Sequence, residues 1–199
     1  MELVINPRER GFIRLDFETL FGNANPVVLE IGSGKGRFLI GTAAERPDLN
    51  LLGIEKSLHY HRVIRERIEK RKLTNVRLIN HDAFLVLQKM IPDASIAEVH
   101  IYFPDPWPRP KEQKRRIIRP EVLEEIRRVL VDGGSAIYVT DHQQYFDKAA
   151  PLIEQSFRAE RRVPGGAADQ AIPDDPPRTN YEAKYRAEGR PIYEVRFWK

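Results

Sequence analysis

The stretch Val27-Val28-Leu29-Glu30-Ile31 runs directly into Gly32-Ser33-Gly34-Lys35-Gly36, and a helical pattern begins at Arg37. An apolar run, a glycine turn and a helix in immediate succession constrain the fold more than any other part of the chain. The same rhythm then repeats. Candidate strands at 27–31, 51–55, 75–80, 97–103 and 135–140 alternate with candidate helices at 37–46, 57–72, 83–90, 120–131 and 142–157. Such alternation predicts an α/β fold with a mostly parallel sheet and helices on both faces. The helix from Pro120 opens with a proline tolerated in a first turn, and Asp132-Gly133-Gly134 reads as its stop. A last run at 192–198 predicts a closing strand. The segment 164–178 is rich in Pro, Gly and Asp and predicts a flexible loop, of a length more often functional than idle. We read 1–199 as one domain, with residues 1–25 as a short N-terminal extension.

The glycines of the first turn let the backbone bend sharply and approach a ligand, while the helix start offers free N–H donors. The second candidate strand closes on Glu55, 23 residues after Gly32. A carboxylate there can accept hydrogen bonds from two vicinal ribose hydroxyls. The third is followed by His81-Asp82. All three features fall on the carboxyl edge, where open α/β sheets bind ligands, and together they predict a nucleoside cofactor. A dinucleotide fingerprint has glycine at its sixth position, whereas this chain has Arg37. No pyrophosphate then needs to sit on the helix, which favours S-adenosylmethionine over NAD.

The fourth candidate strand leads into Pro104-Asp105-Pro106-Trp107-Pro108-Arg109-Pro110. Four prolines in seven residues leave few conformations. On the ligand edge, that stiffness serves to hold Asp105 and Trp107 at one place in a cleft. Two basic stretches accompany it. Residues 56–72 and 109–119 each carry +5 within a chain of net charge +4, so the remainder carries −6. Basic segments on a slightly acidic body point to an anionic partner. With 41% hydrophobic and 31% charged residues the chain is globular rather than disordered. The absence of cysteine excludes disulfides, thiolate metal sites and a cysteine nucleophile, and fits a cytoplasmic protein. Residues 1–10 lack the apolar stretch of a signal peptide, and no run is long enough to span a bilayer.

The segment FPDPWPRPKEQKRR resembles the signature of the bacterial tRNA (guanine-N7)-methyltransferases. LEIGSGKG, GIE, NHDA and TNYE match in order and spacing, over Pro26 to Lys199. DPWP followed by a KRR run is specific, and its pairing with TNYE more so. The resemblance implies a Rossmann-like S-adenosylmethionine methyltransferase fold with a seven-stranded sheet. It implies that Glu30, Gly32, Gly34, Gly36, Glu55, Asp82 and Asp105 line the cofactor site, with Asp105 as the catalytic residue. Arg109, Asp141, Thr179, Asn180, Tyr181 and Glu182 would meet the substrate. Arg109 stands where the family usually carries lysine, which keeps the charge but replaces a point charge with a planar fork. Thr179 and Glu182 also read as a helix N-cap and its N3 partner. The implied reaction is methyl transfer to N7 of a variable-loop guanosine, tRNA position 46. The expected partner is tRNA, with no metal and no membrane, and the expected state is a monomer or weak homodimer.

The chemistry agrees with the residues present. Guanine N7 carries a lone pair and no proton, so attack on a sulfonium methyl needs no general base. None of His59, His61, His81, His100 and His142 is assigned to catalysis. What remains is positioning and the management of charge that moves from sulfur to the purine. A-form RNA hides N7 in a deep groove, so the target must lie in a loop or leave its stack. Methylation of another RNA base or of a protein is the alternative. A dehydrogenase is disfavoured by Arg37, and a non-catalytic RNA-binding module by the intact acids.

Overall fold

The computed structural model describes residues 3–164 and 177–199, with the side chain of Arg10 excepted. The expected flexible loop at 164–178 lies mostly outside the described residues. The strands are β1 (Val4–Ile5), β2 (Val27–Ile31), β3 (Asn50–Ile54), β4 (Val76–Ile79), β5 (Ile96–Tyr102), β6 (Leu130–Thr140), β7 (Arg158–Arg162) and β8 (Tyr193–Trp198). They form one sheet in the order β1-β4-β3-β2-β5-β6-β8-β7. Strands β1 to β6 pair in parallel, and β8 runs antiparallel between β6 and β7.

The helices are α1 (Pro7–Arg10), α2 (Phe17–Phe21), α3 (Arg37–Glu45), α4 (Leu58–Arg71), α5 (Ala83–Met90), α6 (Pro120–Val129), α7 (Gln143–Ser156) and α8 (Asn180–Ala187), with a 3-10 turn at Pro110–Arg115. Successive strand residues face opposite sides. Val28, Leu51 and Leu78 pack with Leu39, Ile64 and Ile68 of α3 and α4. Leu29, Leu52 and Ile54 pack on the other face with Leu87, Ile126 and Ile153 of α5, α6 and α7. Every residue of β2, β3 and β4 is buried, which is why those strands read as apolar runs and not as alternating ones.

The sheet has eight strands where seven were expected. The additional strand, β1, comes from the N-terminal extension, where Val4 and Ile5 pair with Leu78 and Ile79. The rest of the extension is also tied down: Leu15 N–H donates to the Met90 carbonyl at 2.9 Å. Strand β7 (Arg-Ala-Glu-Arg-Arg) carries no apolar pattern, since it is an edge held by backbone bonds to β8. Helix α6 ends at Val129, earlier than Asp132-Gly133-Gly134 implied. Leu130 already pairs with Ile96, and the glycines occupy a register shift before Ser135 pairs with Glu98.

Gly53 is the tightest point between β3 and α3. A Cβ there would lie 2.7 Å from Leu39 Cδ2 and 2.9 Å from Ser33 Oγ. Gly53→Ala is therefore expected to destabilise the fold by about 1–3 kcal/mol through overpacking. Urea unfolding checks it, and an unchanged midpoint would mean that α3 repacks freely.

Candidate active site

The carboxyl ends of β2, β3, β4 and β5 open into a cleft of about 1130 Å³. Its floor is the glycine turn. Gly32 and Gly34 adopt φ of +77° and +53°, values costly for a residue with a Cβ. Gly32 N–H donates to the Ile54 carbonyl at 2.8 Å, so the turn is tied to β3. Gly36 serves a different purpose: a Cβ on it would meet Ile64 Cγ2 at 3.0 Å, and it does not line the cleft.

Glu55 links the first two strand ends. Its Oε2 accepts from Gly34 N–H at 2.8 Å and its Oε1 from Ser57 N–H at 2.7 Å. A carboxylate offers about four acceptor positions, so capacity remains for a ligand. Burial raises the Glu55 carboxyl above its ordinary range, the Ser57 and Gly34 N–H groups oppose this, and the charge of Asp105 adds to the rise. Glu30, at 2% exposure, is the penultimate residue of β2 and lines the same cleft. Burial pushes its carboxyl up to about 8, and the charge of Glu55 contributes. Among the described residues, Glu30 Oε2 and Ser33 Oγ are buried with no hydrogen-bond partner. Asp82 caps α5, accepting from Phe84 and Leu85 N–H, and pairs with Lys56 Nζ at 3.1 Å. Burial works to raise its carboxyl, but Lys56 and the helix N–H groups outweigh burial and lower it.

The opposite wall is the proline turn. Phe103 and Trp107 both adopt left-handed backbone, with φ of 48° and 41°. That region is disfavoured for residues with large side chains, and strain of this kind concentrates at functional sites. Asp105 sits exposed between them and lines the cleft. Helix α8 contributes Thr179, Asn180 and Tyr181 to the rim. The Tyr185 ring packs on Phe103 at 5.4 Å, which joins α8 to the proline turn.

Four sequence-derived site residues stand apart from this cleft. Gly36 is one. Arg109 is exposed at the head of the 3-10 turn, and Asp141 pairs with Arg190 at 2.5 Å. Glu182, at 1% exposure, is enclosed by Arg178 and Arg186, with Arg186 Nη2 at 2.6 Å and Arg178 N–H at 2.9 Å. Its own N–H is taken by Thr179 Oγ1 at 3.0 Å, which is the capping arrangement. Conversely, Tyr60, Phe84 and Tyr102 line the cleft unforeseen. Tyr60 and Phe84 lie in the first turns of helices that follow strand ends, and that position was the available signal.

A parallel sheet with an antiparallel β8 inserted before its edge strand, and a glycine turn facing an acid at the next strand end, define a Rossmann-like methyltransferase. The family described as "Putative methyltransferase" matches residues 24–195. The tRNA (guanine-N(7)-)-methyltransferase of Aliivibrio fischeri (strain MJ11) is 35% identical over 92% of this chain and 76% of its own. The enzyme of that name from Actinobacillus pleuropneumoniae serotype 5b (strain L20) is 36% identical over 92% and 74%. Among solved structures, a SAM dependent methyltransferase from Aquifex aeolicus shares the fold with a TM-score of 0.59, at 14% identity over 92% of this chain and 87% of that one. The chain belongs to the tRNA (guanine-N7)-methyltransferase family.

Glu30 generates a pH prediction. Folded, its carboxyl titrates near 8 against an ordinary 4.5. Between these values the folded state holds a proton that the unfolded state has released, so stability falls as pH rises across the window and levels off above it. The slope contributed is at most about 1.4 kcal/mol per pH unit. Glu30→Gln should flatten the decline in denaturation midpoint between pH 5.5 and 8. Parallel wild-type and variant curves would contradict the assignment.

Proposed function

We propose that the chain transfers the methyl group of S-adenosylmethionine to N7 of a guanine in tRNA, and that the target is the variable-loop guanosine. Family membership over nearly the whole chain supports the reaction and substrate class. The observation that carries the site assignment is the rigid turn holding Asp105 in the cleft that Glu30 and Glu55 also line.

The residues fit a cationic nucleoside cofactor. Glu30 Oε2 and Ser33 Oγ have hydrogen-bonding capacity to spare and would take its polar amino-acid end. Glu55 keeps acceptor positions for the ribose hydroxyls, and Asp82 at the head of α5 would border the base. When bound, this cofactor supplies a methyl group activated by a sulfonium. Everything else is positioning. The Asp105 carboxylate can accept from both N1–H and the exocyclic amine of guanine, a pair that adenine cannot offer. N7 lies on the other edge of that base and is left facing the methyl. As positive charge reaches the purine, the fixed Asp105 charge offsets it in the transition state. No proton has to move from N7. Among the described residues there is no cluster of three metal-type ligands and no helix long and apolar enough to cross a membrane.

Cations line the cleft as well, and among them Lys114, Arg115 and Lys184 are exposed, while Lys56 is paired with Asp82 and Arg119 lies over the Phe84 ring. They suit phosphates of a bound RNA, as point charges and forks that read no base edge. Incubation with unmodified tRNA and labelled methyl donor, followed by base analysis, tests the function directly. A label elsewhere than N7 of guanine, or on protein, would overturn it.

Two quantitative expectations accompany this reading. Asp105→Asn should slow single-turnover methylation by about 10²-fold at saturating tRNA and cofactor, with a smaller change in tRNA affinity; a wild-type rate would leave Asp105 a purely structural turn residue. Replacing Lys114 and Arg115 together by alanine should lower the slope of log affinity against log salt by about 1 per lost phosphate contact. Binding titrations at low and moderate salt measure it, and an unaltered slope would place the phosphates elsewhere.

A further inference from the structure

Among the described residues, Arg116 is a buried cation that meets no carboxylate. It is 6% exposed. Its Nε donates to the Pro106 carbonyl at 2.7 Å and its Nη2 to the Trp107 carbonyl at 3.4 Å. Its guanidinium lies over the Tyr145 ring, 4.6 Å from the centre. No described carboxylate is within ion-pair distance of it. Desolvating a guanidinium with only neutral partners is costly, and both acceptors belong to the single turn that carries Asp105.

That turn needs a support. Prolines at 104, 106 and 108 restrict φ at their own positions, and Pro108 biases the residue before it toward extended backbone, so the left-handed φ of 41° at Trp107 has to be held by contacts outside the prolines. The planar fork of arginine can hold two successive carbonyls at once, which an ammonium on a single stem cannot do as well. The platform beneath is firm. Tyr145 is 1% exposed in α7, and its hydroxyl accepts from Ile118 N–H at 3.1 Å. Arg116 is thus clamped between α7 and the peptide planes on either side of Trp107.

We propose that Arg116 is a positioning residue that holds the left-handed Trp107 and thereby aims Asp105 into the cleft. The proposal rests on the assignment of Asp105 as the guanine-facing carboxylate. It predicts an effect on turnover that is transmitted through Asp105, with cofactor binding on the far wall little changed. A role confined to overall stability would lower the melting temperature without that division.

The test uses the full chain with Arg116→Met, Arg116→Lys and the double variant Asp105→Asn/Arg116→Met. Trp107 fluorescence is read in a Trp198→Phe background, which leaves Trp107 as the one tryptophan. Arg116→Met should slow single-turnover methylation by about 10- to 100-fold, the scale of a small misplacement of a reacting group. Cofactor affinity by calorimetry should stay close to wild type, and the Trp107 emission should shift. Arg116→Lys, which retains the charge, should also lose rate, and it serves as the test if Arg116→Met does not fold. The double variant should be no slower than Asp105→Asn alone. Wild-type turnover with unchanged Trp107 emission, or losses that simply multiply in the double variant, would overturn the proposal. If Asp105→Asn turns over normally while Trp107 emission still shifts in Arg116→Met, the role of Asp105 falls and the support of the turn by Arg116 stands.

Discussion

The structure depends on a central sheet that is covered on both faces. Once β2, β3 and β4 are buried along their whole length, polar chemistry has nowhere to go but the strand ends. The carboxyl ends are where the chain must turn into helices, and there free N–H groups and side-chain acids meet. The Glu55 carboxylate makes this concrete. By accepting from Gly34 and Ser57 it ties the turn after β2 to the helix start after β3, so one side chain shapes the cleft floor and still has acceptor capacity left for a ligand.

The cleft carries charges of both signs. Glu30, Glu55 and Asp82 line it, with Glu30 and Glu55 buried and Asp82 paired with Lys56, and Lys114, Arg115 and Lys184 line it as exposed cations. Carboxylates suit a cationic cofactor and a purine that becomes positive, whereas Glu30, its carboxyl pushed up to about 8 by burial, contributes hydrogen bonds rather than charge at neutral pH. The exposed cations suit a polyanion.

The two walls are stiff for different reasons. The proline turn is limited covalently at three positions and by hydrogen bonds from Arg116. Helix α8 is held by a buried ion network, in which Arg178 donates to Glu182 and to Glu194 of β8 and lies over the Tyr102 ring. Removing one member of such a network leaves an uncompensated charge, at a cost of about 3–5 kcal/mol. Glu182 therefore supports the rim that displays Asn180 and Tyr181, and its carboxylate does not face the cleft.

Sequence by itself determined the order of the elements, the carboxyl edge as the ligand side, and Glu30, Glu55, Asp82 and Asp105 as the acids of that edge. Those features are local: a buried strand, a glycine turn and a proline run each leave a pattern within a few residues of themselves. Strands β1 and β7 were not legible, because a two-residue strand and a polar edge strand are held by backbone bonds that leave no side-chain period. Only the tertiary structure decided which charges face the cleft. Asp141 meets Arg190 from 49 residues away, Glu182 turns inward to Arg178, and Gly36 answers to Ile64 on α4. Arg116 belongs to a basic stretch that pointed to an anionic partner and instead lies buried under the turn of Asp105. A side chain's direction is set by what packs against its element, and that partner is chosen by the fold of the whole chain.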